Sequence, residues 1–63
     1  MKQFIELTER SEYKVLIRVS NILSISTERE TTCILIFAPS SLHTIYVIES
    51  YDEVKALIQE AVS

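Results

Sequence analysis

The chain contains no glycine in its 63 residues, and this constrains its fold more than any other single feature. Glycine is the default residue wherever backbone must take positive φ. Its absence removes the phosphate-binding loop, the dinucleotide-binding turn and the Asn-Gly hairpin turn. Turns must instead be built from Ser, Asn, Glu and the single Pro39. Tight primed turns need positive φ at two successive positions, so connections of three residues or longer are expected.

Between these turns the apolar residues alternate. In "KQFIELT", Ile5 and Leu7 share one face and Phe4 and Glu6 the other, the pattern of a half-buried strand. "ERSE", 9–12, is polar and turn-like, and "YKVLIRV" then sets Tyr13, Val15, Ile17 and Val19 against Lys14, Leu16 and Arg18. After Ser20-Asn21, "ILSIST" opposes Leu23 and Ile25 to Ile22, Ser24 and Ser26. "ERET", 28–31, is the next turn, and "TCILIF" and "TIYVIE", separated by the loop "APSSLH" at 38–43, are apolar on both faces. Pro39 ends the strand before it because it has no N–H for the ladder. β-Branched runs at hairpin spacing predict an antiparallel meander.

The period then changes. Val54, Leu57, Ile58, Ala61 and Val62 follow the i, i+3, i+4, i+7, i+8 stripe of an α-helix. The expected fold is therefore α+β: one small domain over 1–63, with an antiparallel β-meander of about five short strands and one C-terminal α-helix packed on one face.

The junction "YVIESYDEVKALI" gathers Glu49, Asp52 and Glu53. A catalytic carboxylate pair needs one carboxyl group held protonated in a dry cleft. Ser50 followed three residues later by Glu53 instead reads as a capping box, with Asp52 complementing the positive end of the helix. Cys33 lies in the most apolar strand and reads as a small buried hydrophobe, and His43 reads as an ordinary surface residue in the 38–43 loop. A Cys33–His43 dyad lacks an orienting third group. One Cys and one His exclude an internal disulfide and a zinc site of ordinary Cys/His composition, and no cofactor is expected.

Charge narrows the partners. Six Lys+Arg against nine Asp+Glu give −3, and the cations are scattered. The concentrated positive charge of a nucleic-acid footprint is missing, including the basic groove that Tyr13, Tyr46, Tyr51, Phe4 and Phe37 would need to act as a stacking platform. The Glu28-Arg29-Glu30 tip reads as a solvated turn. No apolar run approaches the ~20 residues of a membrane span, and "MKQFIELTER" has charge where a signal peptide is apolar. A lone thiol fits a reducing compartment, and a cytoplasmic location is expected.

Size then points to a partner. Scaling gives a folded surface of about 4,200 Å² against roughly 10,600 Å² unfolded, the marginal end for a lone core. Yet 48% of the residues are hydrophobic. One helix covers one sheet face, and the second face must curl into a barrel, stay exposed or meet a partner. Phe4, Leu16, Ile34, Ile36, Tyr46 and Ile48 form the candidate interface, with Ser50 and Glu53 as structural cap. The expected function is a non-enzymatic protein-interaction module, homo-oligomeric or bound to another protein. The alternatives are a small regulatory barrel binding nucleic acid or a small ligand, and an enzyme subunit whose site forms only between chains.

"FIELT", "VLIRVSNILSI" and "IYVIESYDEVKALI" together resemble the short flagellar proteins of the FlbD (SwrD) type and similar tiny bacterial proteins. These open with an "IxLT" strand, continue into an Asn/Asp-Ile-x-x-Ile segment and close with a strand running into a capped helix. The departure is "APSSLH", where the family carries Asn-Gly or Asp-Gly. The resemblance implies a small bacterial accessory protein rather than an enzyme.

Overall fold

The structure, a computed structural model, describes residues 3–63. Five strands and a helix follow one another: β1 (Phe4–Thr8), β2 (Lys14–Arg18), β3 (Ile22–Glu28), β4 (Thr31–Ala38), β5 (Ser41–Val47) and α1 (Tyr51–Val62). The α+β meander is as expected, but its strands divide into an antiparallel β1-β2 hairpin and an antiparallel β3-β4-β5 sheet. The division falls at Ser20-Asn21, where a single 3₁₀ turn, Val19–Asn21, takes the place of a ladder between β2 and β3.

One corner joins the sheets. Arg10 N–H donates to the Tyr46 carbonyl at 3.0 Å and Ile48 N–H to the Thr8 carbonyl at 2.8 Å, flanking a bridge between Glu9 and Val47. The inner faces share a core: Ile5, Leu7 and Ile17 from the hairpin, Ile34 and Val47 from the sheet, and Val54 and Ala61 from the helix. The helix packs on β1 and β3. Its predicted stripe is the one that turns inward, with Val54 and Ala61 buried, Leu57 and Ile58 half-buried and only Val62 exposed. Burying each large aliphatic side chain in such a core contributes roughly 1.5–3 kcal/mol.

Two of the three hairpin turns are tighter than expected, and the β1–β2 connection has the expected length. The β3–β4 connection is only Arg29-Glu30, with Glu28 opposite Thr31. Both residues take positive φ, 50° and 67°, the primed geometry that glycine usually supplies. The β4–β5 connection is only Pro39-Ser40, because Ala38 already pairs with Ser41, so the "APSSLH" loop is mostly strand. Between β1 and β2 the chain makes a turn closed by Glu12 N–H to the Glu9 carbonyl and Glu9 N–H to the Tyr13 carbonyl. Glu12 sits at φ 74°, where a bulged three-residue loop places glycine. At Arg29-Glu30 strand twist favours the primed turn strongly enough that ordinary residues fill it, whereas Pro39-Ser40 closes its two-residue loop without positive φ.

A bulge between Ile22 and Ser24 makes a second correction. The extra residue lets Ile22 and Ile25 both pack against the core, although simple alternation sets them on opposite faces.

Candidate interaction surface

Register decides which side chains share a face. The two-residue loop pairs Cys33 with Tyr46, Leu35 with Thr44 and Phe37 with Leu42. On the other side of β4, Ser24 pairs with Leu35 and Ser26 with Cys33. The face of β3-β4-β5 turned away from the core therefore carries Ser24, Ser26 and Glu28 on β3, then Thr31, Cys33, Leu35 and Phe37 on β4. On β5 it carries Leu42, Thr44 and Tyr46, with Ile48 just beyond the strand.

The strands give this face one charged residue, Glu28 at its end, in a chain with 24% charged residues, and Arg10 reaches that same end at Thr31. Phe37 is 54% exposed, Leu42 57% and Tyr46 48%. The Ala38–Ser41 pair closes a two-residue hairpin and is hydrogen-bonded, so the outward pairs Phe37–Leu42, Leu35–Thr44 and Cys33–Tyr46 are the non-bonded ones. Their side chains stand closest together. The hairpin behaves differently. Its outward residues are Phe4, Glu6, Thr8, Lys14, Leu16 and Arg18, where half are charged. Lys14 reaches Glu6 at 3.8 Å, and the Arg18 guanidinium lies 5.5 Å from the Phe4 ring centre. One sheet thus presents a mixed, solvated surface and the other a face charged only at its Glu28 end.

The candidate interface residues separate accordingly. Tyr46 and Ile48 lie on the uncharged face, and Phe4 and Leu16 are exposed on the hairpin's charged face. Ile34 and Ile36 do not belong with them. Ile34 is fully buried in the core and Ile36 is half-buried against it. Opposite them are Ile45 and His43, not Tyr46. In their place the register supplies Leu35, Phe37 and Leu42, whose grouping only the loop length could reveal.

The acidic junction has a structural explanation. Ser50 Oγ accepts from Glu53 N–H at 3.1 Å, and the Glu53 carboxylate accepts from Ser50 N–H at 3.2 Å, closing the capping box. Glu49 does something else. Both of its carboxylate oxygens accept from Thr8 N–H, at 2.9 and 3.0 Å, tying the end of β1 to the entry of the helix. Asp52 lies in the first turn.

Cys33 is buried, with its thiol directed to the Thr31 carbonyl at 3.8 Å. His43 stands in β5 rather than in a loop, opposite Ile36, with Nε2 3.3 Å from Ser41 Oγ. Cys33 and His43 therefore point to opposite faces and form no dyad. No group of three His, Cys, Asp or Glu side chains among the described residues could hold a metal. A cleft of about 480 Å³ is lined by Arg10, Arg29, Glu30, Thr31, Val47 and Ile48. An adjoining hollow of about 270 Å³ adds Glu28 and Tyr46. Arg10 is committed there to Thr31 Oγ1 at 3.1 Å, and two glutamates offset the two arginines. No described helix is long and apolar enough to cross a membrane. Comparison with protein families, with curated proteins and with solved structures finds no match for the chain.

Proposed function

We propose that this protein is a non-enzymatic interaction module that associates with its own copies through the outward face of β3-β4-β5. The uncharged face carries the reading. Antiparallel sheets with one solvated side normally alternate apolar-in and polar-out, and here Cys33, Leu35, Phe37, Leu42 and Tyr46 stand where polar residues belong. A second copy is the partner of choice because a twofold contact brings a patch onto itself. An uncharged patch meets no like-charge repulsion when it does so. Size acts in the same direction. The chain exposes 4651 Å², more than the about 4,200 Å² that scaling gives, and a lone core this small gains from a partner subunit.

The same face argues for protein and against nucleic acid, since its cations, Arg10 and Arg29 at the Glu28 end, are offset there by Glu28 and Glu30. A cytoplasmic location and an accessory role in a larger bacterial assembly, as the FlbD-type resemblance implies, complete the reading.

Paired charge insertions test it. Phe37→Glu should leave the circular dichroism spectrum unchanged and reduce the mass measured by light scattering. Leu16→Glu, on the solvated hairpin face, should leave that mass as it is. Equal masses for Phe37→Glu and the unaltered chain would exclude this face as the contact.

A further inference from the structure

The β3-β4-β5 sheet has a second feature, its β5 edge. Backbone groups alternate in direction along a strand, with the N–H and C=O of one residue on the same side. The corner bonds at the Tyr46 carbonyl and the Ile48 N–H show which side is outward for even residues of β5. Ser41, His43, Ile45 and Val47 therefore bond to β4, while Leu42 and Thr44 direct their N–H and C=O away from it. Among the described residues no strand pairs with these two on that side.

Natural sheets blunt such edges with lysine, proline, bulges or short strands. The β3 edge has its bulge at Ile22–Ser24, and the β2 edge is charged at Lys14 and Arg18. At the end of β5 the corner with β1 covers Tyr46 and Ile48, and the open stretch at Leu42 and Thr44 has no lysine, proline or bulge.

We infer that β5 pairs antiparallel with β5 of a second copy, centred on His43, so that Leu42 of each chain exchanges both backbone bonds with Thr44 of the other. The free groups select the occupant and the register. The open set is one residue on either side of His43, and it is symmetric about that residue. Centring on Thr44 instead would set Leu42 against Tyr46, whose carbonyl already accepts from Arg10. A twofold axis through His43, normal to the sheet, satisfies the free N–H and C=O groups of both Leu42 and Thr44 and places no charged side chain opposite another. It also turns two three-stranded sheets into one of six strands with both uncharged faces on the same side. Stacking two such sheets through that face adds perpendicular twofold axes and closes a four-chain assembly. The four-chain state rests on the face contact proposed above, whereas the edge contact does not.

Proline placement provides the test. Thr44→Pro removes an outward N–H and leaves the β4 ladder its donors, a setting in which an edge strand accepts proline. His43→Lys sets two cations in a non-bonded pair, where Cα atoms approach to about 4.5 Å. Sedimentation equilibrium should give four chains for the unaltered protein and two for each of these variants, with unchanged circular dichroism. Phe37→Glu should also give two, held by the edge. Folded Thr44→Pro and His43→Lys proteins that both keep the full mass overturn the edge contact. If only Phe37→Glu lowers the mass, the face contact stands and the edge falls. If the unaltered protein is a dimer split by Thr44→Pro but not by Phe37→Glu, the edge stands and the face reading falls. A monomeric unaltered chain overturns both.

Discussion

Three residues hold positive φ without being glycine: Glu12, Arg29 and Glu30. A left-handed conformation costs an ordinary L-residue roughly 1–2 kcal/mol, so this chain folds against local strain at two of its hairpin turns. Glu30→Gly should raise unfolding free energy by about 1 kcal/mol, read from a urea titration at low protein concentration. A loss of stability there would show that the turn is held by something other than backbone preference. The carboxylates divide into two structural jobs. Ser50→Ala should cost about 1 kcal/mol through the cap, and Glu49→Ala about 1.5–3 kcal/mol through the charged acceptor it removes from Thr8. The cap is legible in the sequence because its partners stand three residues apart. The Glu49–Thr8 bond spans 41 positions, and no local pattern encodes that.

Each strand's own alternation is readable from the sequence, but the parity between strands depends on the loops. A three-residue loop pairs even with even, which would group Ile34 and Ile36 with Tyr46 and Ile48. The two-residue Pro39-Ser40 loop pairs even with odd, which sends Ile34 inward and brings Cys33, Leu35 and Phe37 beside Tyr46. One residue more or fewer in that turn therefore exchanges the core and surface sets of β4, as a one-residue slip does in any sheet. Ile34→Ala should cost about 2–5 kcal/mol by opening a cavity between the sheets and the helix. Phe37→Ala should stay within roughly 0.5 kcal/mol of the unaltered chain when both are measured dilute. Equal losses at the two positions would contradict the register. The helix needed no such information, because its stripe is contained within one element.

At the scale of the molecule, the chain closes one core and leaves one face unclosed. The inner surfaces of hairpin and sheet meet around Leu7, Ile34 and Val54 with the helix across them. The mixed charge of the β1-β2 surface suits water. The outward surface of β3-β4-β5 is uncharged except at its Glu28 end, where Arg10 also lies, and is the surface we propose meets another copy. That some apolar face would remain is legible from 48% hydrophobic residues in so short a chain; its address in the fold is not, because it depends on the register just described. The most direct test is the mass of the unaltered chain in solution, followed by sedimentation equilibrium across a dilution series at fixed salt. The account predicts a species larger than 7.3 kDa that dissociates toward that mass on dilution. A single species at 7.3 kDa throughout the series would contradict it.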